Sequence, residues 1–329
     1  MSQPPASPLP LPYTEAWLSG HHNLPPVTLY TRTYTPPGQP KGALIFIHGF
    51  CEHVARYAEA HQIWASRGFI VFAFDQRGFG RTSLEVDGRQ RKAVGGEQVT
   101  YGQTGQEEQM GDVEWAVGHV KEIWPGVPIF LMGRSMGGGI VLNYVSRVLS
   151  FPEDVRTDHI RKSLSGVIAS SPLLRLTHPP LGPVRWAGGK AGQMFPNLTI
   201  PAGVDPKHLS HDPAAVEENR RDRLCRSSAT VRAVDTMLTR GENLLTEPDT
   251  MQYWPVDLPV LILHGDSDEV TSAQASREFI ENLNAKDKHL SIYPGGYHEL
   301  HHEPDGVKER FVDECISWVE ARLPAVRDN

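Results

Sequence analysis

Residues 127–139 read VPIFLMGRSMGGG. The first seven form an apolar run ending in glycine, which is how a strand buried on both faces of a parallel sheet reads. Residues 136–149 then carry a helical pattern. Between the two, Gly133-Arg134-Ser135-Met136-Gly137 spells G-x-S-x-G. Glycines on either side let the chain turn sharply, so that Ser135 projects from a strand-to-helix elbow. Its hydroxyl sits at a helix N-terminus, where free N–H groups favour developing negative charge. Strand, elbow and helix together make Ser135 a candidate nucleophile.

The same rhythm extends outward in both directions. GALIFIHG (42–49), FIVFAFDQRG (69–78), LSGVIASSP (164–172) and LPVLILHGD (258–266) are also short apolar runs closed by turn residues. Helical patterns fall at 54–67, 108–124, 273–283 and 307–322. Strands alternating with helices imply an α/β fold, a mostly parallel sheet with helices on both faces. Segments 13–19 and 27–34 alternate as an antiparallel edge pair would. Residues 172–248 break the rhythm and are too long for a connection. They are rich in Pro and Gly and include Trp186, Met194, Phe195, Leu198 and Ile200. This reads as an inserted lid above the strand C-termini, where open α/β sheets place their ligands. Residues 84–106 read as a polar surface loop without chemistry.

Composition narrows the function. The 329 residues suit one α/β domain with an insertion, and a formal charge of −7 supplies no basic field for nucleic acid. Cys51, Cys225 and Cys315 are odd in number and dispersed, which suggests no disulfide framework and a reducing compartment. Residues 1–12 form a proline-rich, extended and mobile arm rather than a secretory signal. No stretch approaches the roughly 20 apolar residues of a membrane span, so any membrane contact is peripheral.

A serine hydroxyl needs a base, and the base an orienting carboxylate. In this fold class the order is Ser, then Asp or Glu, then His. LILHGDSDEV offers Asp266 and Asp268. Asp266 follows directly on His264-Gly265 and suits the turn itself, whereas Asp268 stands further out and can reach a histidine. That histidine is expected after one more strand, HLSIY, where Pro294-Gly295-Gly296 turn the chain and His298 follows. An oxyanion hole needs two N–H donors. Met136 supplies one, and Phe50, in the loop after the first parallel strand, supplies the other.

A rival reading starts from His298-Glu299-Leu300-His301-His302, which spells the zinc motif H-E-x-x-H. That motif works when a helix carries both histidines on one face. Here Gly295-Gly296 precede it and Pro304 follows, leaving room for only a short turn, and Glu314 is merely a formal third ligand. No metal or organic cofactor is therefore expected.

With HGFCEHVARY, FDQRGFGRTS, GRSMGGG, HGDSDEV and YPGGYHELHHE in place, the chain resembles the monoacylglycerol lipases, serine hydrolases of the α/β-hydrolase fold, and its fungal members in particular. The resemblance runs from about Gly42 to Leu323. It implies cleavage of a monoacylglycerol or similar lipid ester, with Ser135 as nucleophile, Asp268 as orienting acid and His298 as base. Phe50 and Met136 would hold the oxyanion. The family's glycerol-binding Glu, Arg and His fall on Glu52, Arg56 and His301, although Glu52 and Arg56 also read as a helix-start ion pair. The expected location is the cytoplasm, with lipid droplets or membranes open to peripheral contact. Another carboxylesterase or lysophospholipase on this scaffold is the alternative. A non-catalytic binding protein would show a broken triad, and relatives with Asp at the elbow are argued against by Ser135.

Overall fold

A computed structural model describes residues 12–146, 162–247 and 253–324. The arm expected over 1–12 lies outside these residues except for Pro12, as does the expected helical stretch 147–149.

Eight strands form one sheet: β1 (Thr14–Ser19), β2 (Thr28–Tyr34), β3 (Gly42–Ile47), β4 (Phe69–Phe74), β5 (Ile129–Arg134), β6 (Leu164–Ser170), β9 (Val260–Gly265) and β10 (Lys288–Tyr293). β7 (Thr199–Pro201) and β8 (Ser228–Thr230) pair separately. The sheet order is β1-β2-β4-β3-β5-β6-β9-β10. β1 and β2 are antiparallel to their neighbours, and the rest pair in parallel. The two alternating N-terminal segments thus form the expected edge pair. Every residue of β3, β4, β5 and β9 is buried, which is why these strands read as continuous apolar runs.

Alternate residues of each central strand face opposite core layers. Ile45, Ile70, Phe72 and Leu131 enter one, and Leu44, Phe46, Val71 and Met132 enter the other. Burying each such side chain contributes roughly 1.5–3 kcal/mol. The second layer is closed by the Ala58–Ser66 and Val307–Glu320 helices through Trp64, Phe311 and Ile316. From β3 the chain steps to β4 on one side and then crosses back to β5 on the other. This reversal opens a crevice at the strand C-termini, the usual ligand position in such sheets.

Between β6 and β9 stand the helices Gly182–Met194, Pro213–Arg221 and Val231–Thr246 and the β7–β8 ribbon. Leu181, Val184, Trp186, Met194, Phe195 and Leu198 of this insertion are exposed, and Ile200 is half-buried. Residues 84–106 differ from a plain surface loop. Tyr101 is buried, its hydroxyl accepts from the Arg226 amide at 2.9 Å, and the Gly102 carbonyl accepts from the Thr230 amide at 3.0 Å. The loop therefore props the insertion from below, through one aromatic that its polar composition conceals.

Candidate active site

The Ser135 elbow is as tight as its glycines suggest. Ser135 has φ +55°, a left-handed value rare outside glycine. A Cβ on Gly133 would lie 2.1 Å from the Gly137 carbonyl oxygen, and one on Gly137 would lie 2.1 Å from that of Ile47. The turn is pinned further by the Ser135 amide donating to Ser170 O at 2.9 Å, and by Leu173 N donating to Ser135 O at 2.9 Å.

Ser135 Oγ lies 3.0 Å from His298 Nε2, and His298 Nδ1 lies 2.6 Å from Asp268 Oδ2. All three residues are buried. Asp268 is held from both sides. Its Oδ1 accepts from the Val270 and Thr271 amides at 2.7 and 2.9 Å, and its Oδ2 also accepts from Thr271 Oγ1 at 3.0 Å. Burial alone would raise the Asp268 carboxyl, but His298 and the hydrogen bond from His264 outweigh it and hold it far below the usual range. Burial lowers His298, with Asp268 opposing. The imidazole is therefore neutral at pH 7, with its proton on Nδ1 towards Asp268 and Nε2 free to take the serine proton. Asp266 instead accepts from the Gly295 amide at 2.7 Å, a turn contact.

The loop after β3 approaches from the other side. Its frame is His48, whose Nε2 accepts from Gln76 N at 2.9 Å, and Asp75, whose Oδ1 accepts from Val54 N at 2.8 Å. Phe50, Cys51 and Glu52 share a cavity of about 50 Å³ with Ser135 and His298. Among the described residues neither the Phe50 nor the Met136 amide donates to a protein acceptor, so both remain available to a substrate oxygen.

Of the three residues implied for glycerol, only Glu52 lines the Ser135 cavity. Arg56 and His301 line a separate outer cleft with His302, Glu303 and Lys308. His301 stacks on Tyr57 with ring centres 4.5 Å apart. The H-E-x-x-H string forms no continuous helix, because only Leu300–His302 make a single 3-10 turn. His298 serves Ser135 and Asp268, while His302 lies 2.7 Å from Glu299 Oε2 and 3.1 Å from Arg56 O.

Two groups among the described residues bring three possible metal ligands within 4.8 Å of one another: Glu299, His301 and His302, and His53, Asp222 and Cys225. Neither is well suited to a cation. Glu299 is already engaged by the guanidinium groups of Arg56 at 2.7 Å and Arg134 at 3.2 Å. His53 Nε2 is 2.7 Å from Asp222 Oδ2, and burial pushes the Cys225 thiol up, against the thiolate a metal needs.

The comparisons with known proteins agree with this geometry. The serine aminopeptidase family S33 matches residues 38–305. A Schizosaccharomyces pombe protein, whose name places it among the monoglyceride lipases, is 32% identical over 296 residues, 88% of this chain and 71% of its own length. The chain belongs to this family, in its monoglyceride lipase branch. The Mycolicibacterium smegmatis monoacylglycerol lipase is 28% identical over 291 residues, 88% of this chain and 92% of that one. A soluble variant of the Saccharomyces cerevisiae monoglyceride lipase, solved with a substrate analog, superposes with a TM-score of 0.78 at 25% identity, covering 96% and 99% of the two chains. The fold is thus the α/β-hydrolase fold of the monoglyceride lipases. Against that family's motifs, Arg134 inside the elbow and Glu299 beside His298 are charged residues to which the sequence motifs assign no role.

Proposed function

We infer that the protein is a carboxylic ester hydrolase that cleaves monoacylglycerols to fatty acid and glycerol. The observation carrying this reading is the unbroken Ser135–His298–Asp268 chain, with separations of 3.0 and 2.6 Å, in a member of the monoglyceride lipase family. His298 Nε2 takes the Ser135 proton as Oγ attacks the ester carbonyl. The amides of Phe50 and Met136 receive the developing oxyanion. His298 then gives its proton to the departing glycerol oxygen, leaving an acyl-enzyme. Water repeats the two steps, and the fatty acid leaves. Asp268 fixes the imidazole tautomer and stabilises the imidazolium throughout.

The chain works as one domain, with residues 172–248 as its lid. The exposed apolar residues Leu181, Val184, Trp186, Met194 and Phe195 support contact with a lipid surface. No helix among the described residues is long and apolar enough to cross a membrane. The proposed setting is the cytoplasm, with docking on membranes or droplets. Glu52 accepts a glycerol hydroxyl in the cavity beside Ser135, while Arg56 and His301 support that wall from behind. The reading is tested by comparing turnover of monoacylglycerol and lysophospholipid of equal chain length. Higher kcat/KM for the monoacylglycerol is expected, and a preference for the charged headgroup refutes the substrate assignment.

A further inference from the structure

Arg134 directly precedes Ser135, and Glu299 directly follows His298. Both line the cavity that holds Ser135 and His298, and their side chains are almost wholly buried. Arg134 Nη2 lies 3.2 Å from Glu299 Oε1, and Arg134 Nη1 lies 3.3 Å from Glu52 Oε2. Arg56 closes the group, at 2.7 Å from Glu299 Oε2 and 3.5 Å from Glu52 Oε2. Two guanidinium groups and two carboxylates thus form a neutral ring. Burial alone would raise both carboxyls and lower both guanidinium groups, but their mutual attraction outweighs it and keeps all four charged.

The elbow and the histidine loop are more than 160 residues apart, and the Arg134–Glu299 pair bridges them immediately beside the reacting atoms. The 3.2 Å approach is an ionic contact without hydrogen-bond alignment, since Arg134 Nη2 has no hydrogen-bond acceptor. Its orienting force is therefore Coulombic and sensitive to charge rather than to shape. We propose that Arg134 and Glu299 form an ionic clasp that positions His298 over Ser135, acting as positioning residues for ester hydrolysis. The clasp rests on the Ser135–His298 reading above.

The charged groups acting on His298 are Asp268, Arg134 and Glu299; His264 contacts Asp268, Glu52 contacts Arg134, and Arg56 and His302 contact Glu299. Arg134 lowers the affinity of His298 for a proton, and Glu299 raises it. The two ends of the clasp therefore act on His298 with opposite signs, so neutralising either end moves the acid midpoint in a known direction, while the labelling rate of Ser135 reads the positioning itself.

The test measures fluorophosphonate labelling of Ser135 and kcat/KM on a monoacylglycerol across pH. It uses wild type, Glu299→Gln, Arg134→Met and the double variant Arg134→Met/Glu299→Gln. Each single variant is expected to lose about 10- to 100-fold in labelling rate and in kcat/KM through misplacement of His298. The acid midpoint should move down in Glu299→Gln and up in Arg134→Met, each by about half a pH unit or more. The double variant leaves Glu52 and Arg56 as a neutral pair, so it should fold, restore the midpoint and lose less than the product of the single losses. Should either single variant fail to fold, the double variant decides alone: Ser135 labelling slowed by about tenfold at an unshifted midpoint supports the clasp, and labelling within twofold of wild type overturns it. Labelling within twofold of wild type in every folded variant, or midpoints that move together, overturns the clasp. Failure of wild type itself to label at Ser135 overturns the catalytic reading beneath it.

Discussion

Replacing Asp268 by Asn separates the orienting role of this carboxylate from its role in folding. Oδ1 accepts two backbone amides, from Val270 and Thr271, at 2.7 and 2.9 Å. The single carbonyl of Asn must take that position, because the alternative sets an NH2 group against two N–H donors. The NH2 group then faces His298 Nδ1, now 2.6 Å from Asp268 Oδ2. An imidazole facing a donor keeps its proton on the other nitrogen, so Nε2 carries hydrogen at the position 3.0 Å from Ser135 Oγ where a base is needed. Loss of the correct tautomer in such a triad costs on the order of 10⁴ in kcat, or about 5.5 kcal/mol of transition-state stabilisation. Burst kinetics with a chromogenic ester measure the acylation rate directly, and circular dichroism checks the fold. Acylation within tenfold of wild type in a folded Asp268→Asn protein would refute this role for Asp268.

Other consequences follow from equally local features. Gly133→Ala places a methyl group 2.1 Å from a carbonyl oxygen, so the elbow must shift; labelling of Ser135 should fall at least 100-fold and the thermal midpoint should drop. His61 is buried with both ring nitrogens unpaired, and desolvation lowers its pKa from 6.5 to about 3. Between those values the unfolded chain binds a proton that the folded one refuses, so this stability is fully present above pH 6.5 and is lost on acidification towards pH 3. At pH 5 the loss is about 2 kcal/mol, so His61→Phe should gain more stability in urea unfolding at pH 5 than at pH 8. Chelation by EDTA should leave ester hydrolysis unchanged, because Glu299 and His298 are already committed to Arg56, Arg134, Asp268 and Ser135.

The sheet was legible because its central strands are buried on both faces, which leaves no polar residue to blur runs such as Ile45–Phe46–Ile47 and Val71–Phe72. The expected helix over 54–67 is instead a 3-10 turn at Val54–Tyr57 followed by a helix at Ala58–Ser66. Asp75 captures the Val54 amide there, a tertiary contact that no local pattern encodes. Ser135 and Asp268 stood out because each follows a core strand and a tight turn, and His298 because it follows the edge strand β10 and its Gly295-Gly296 turn. Arg134 and Glu299 did not. Arg134 occupies a variable position of G-x-S-x-G, and Glu299 sits inside a string that matches a zinc motif. Opposite charges flanking the serine and the histidine were the available signal, and it becomes readable only once those two residues are paired in space. Arg56 and His301, expected beside Glu52, line the outer cleft and not the cavity at Ser135, a placement that spacing along a loop does not encode.

The central claim is that this chain hydrolyses monoacylglycerols through Ser135. Its most direct test is release of glycerol from a monoacylglycerol series by wild type and Ser135→Ala, with intact-mass detection of the acyl adduct. Wild type should turn over monoacylglycerols in preference to di- and triacylglycerols and accumulate one acyl group on Ser135, while Ser135→Ala shows neither turnover nor adduct. Glycerol release by Ser135→Ala at the wild-type rate, or turnover by wild type of other esters but not monoacylglycerols, contradicts the account.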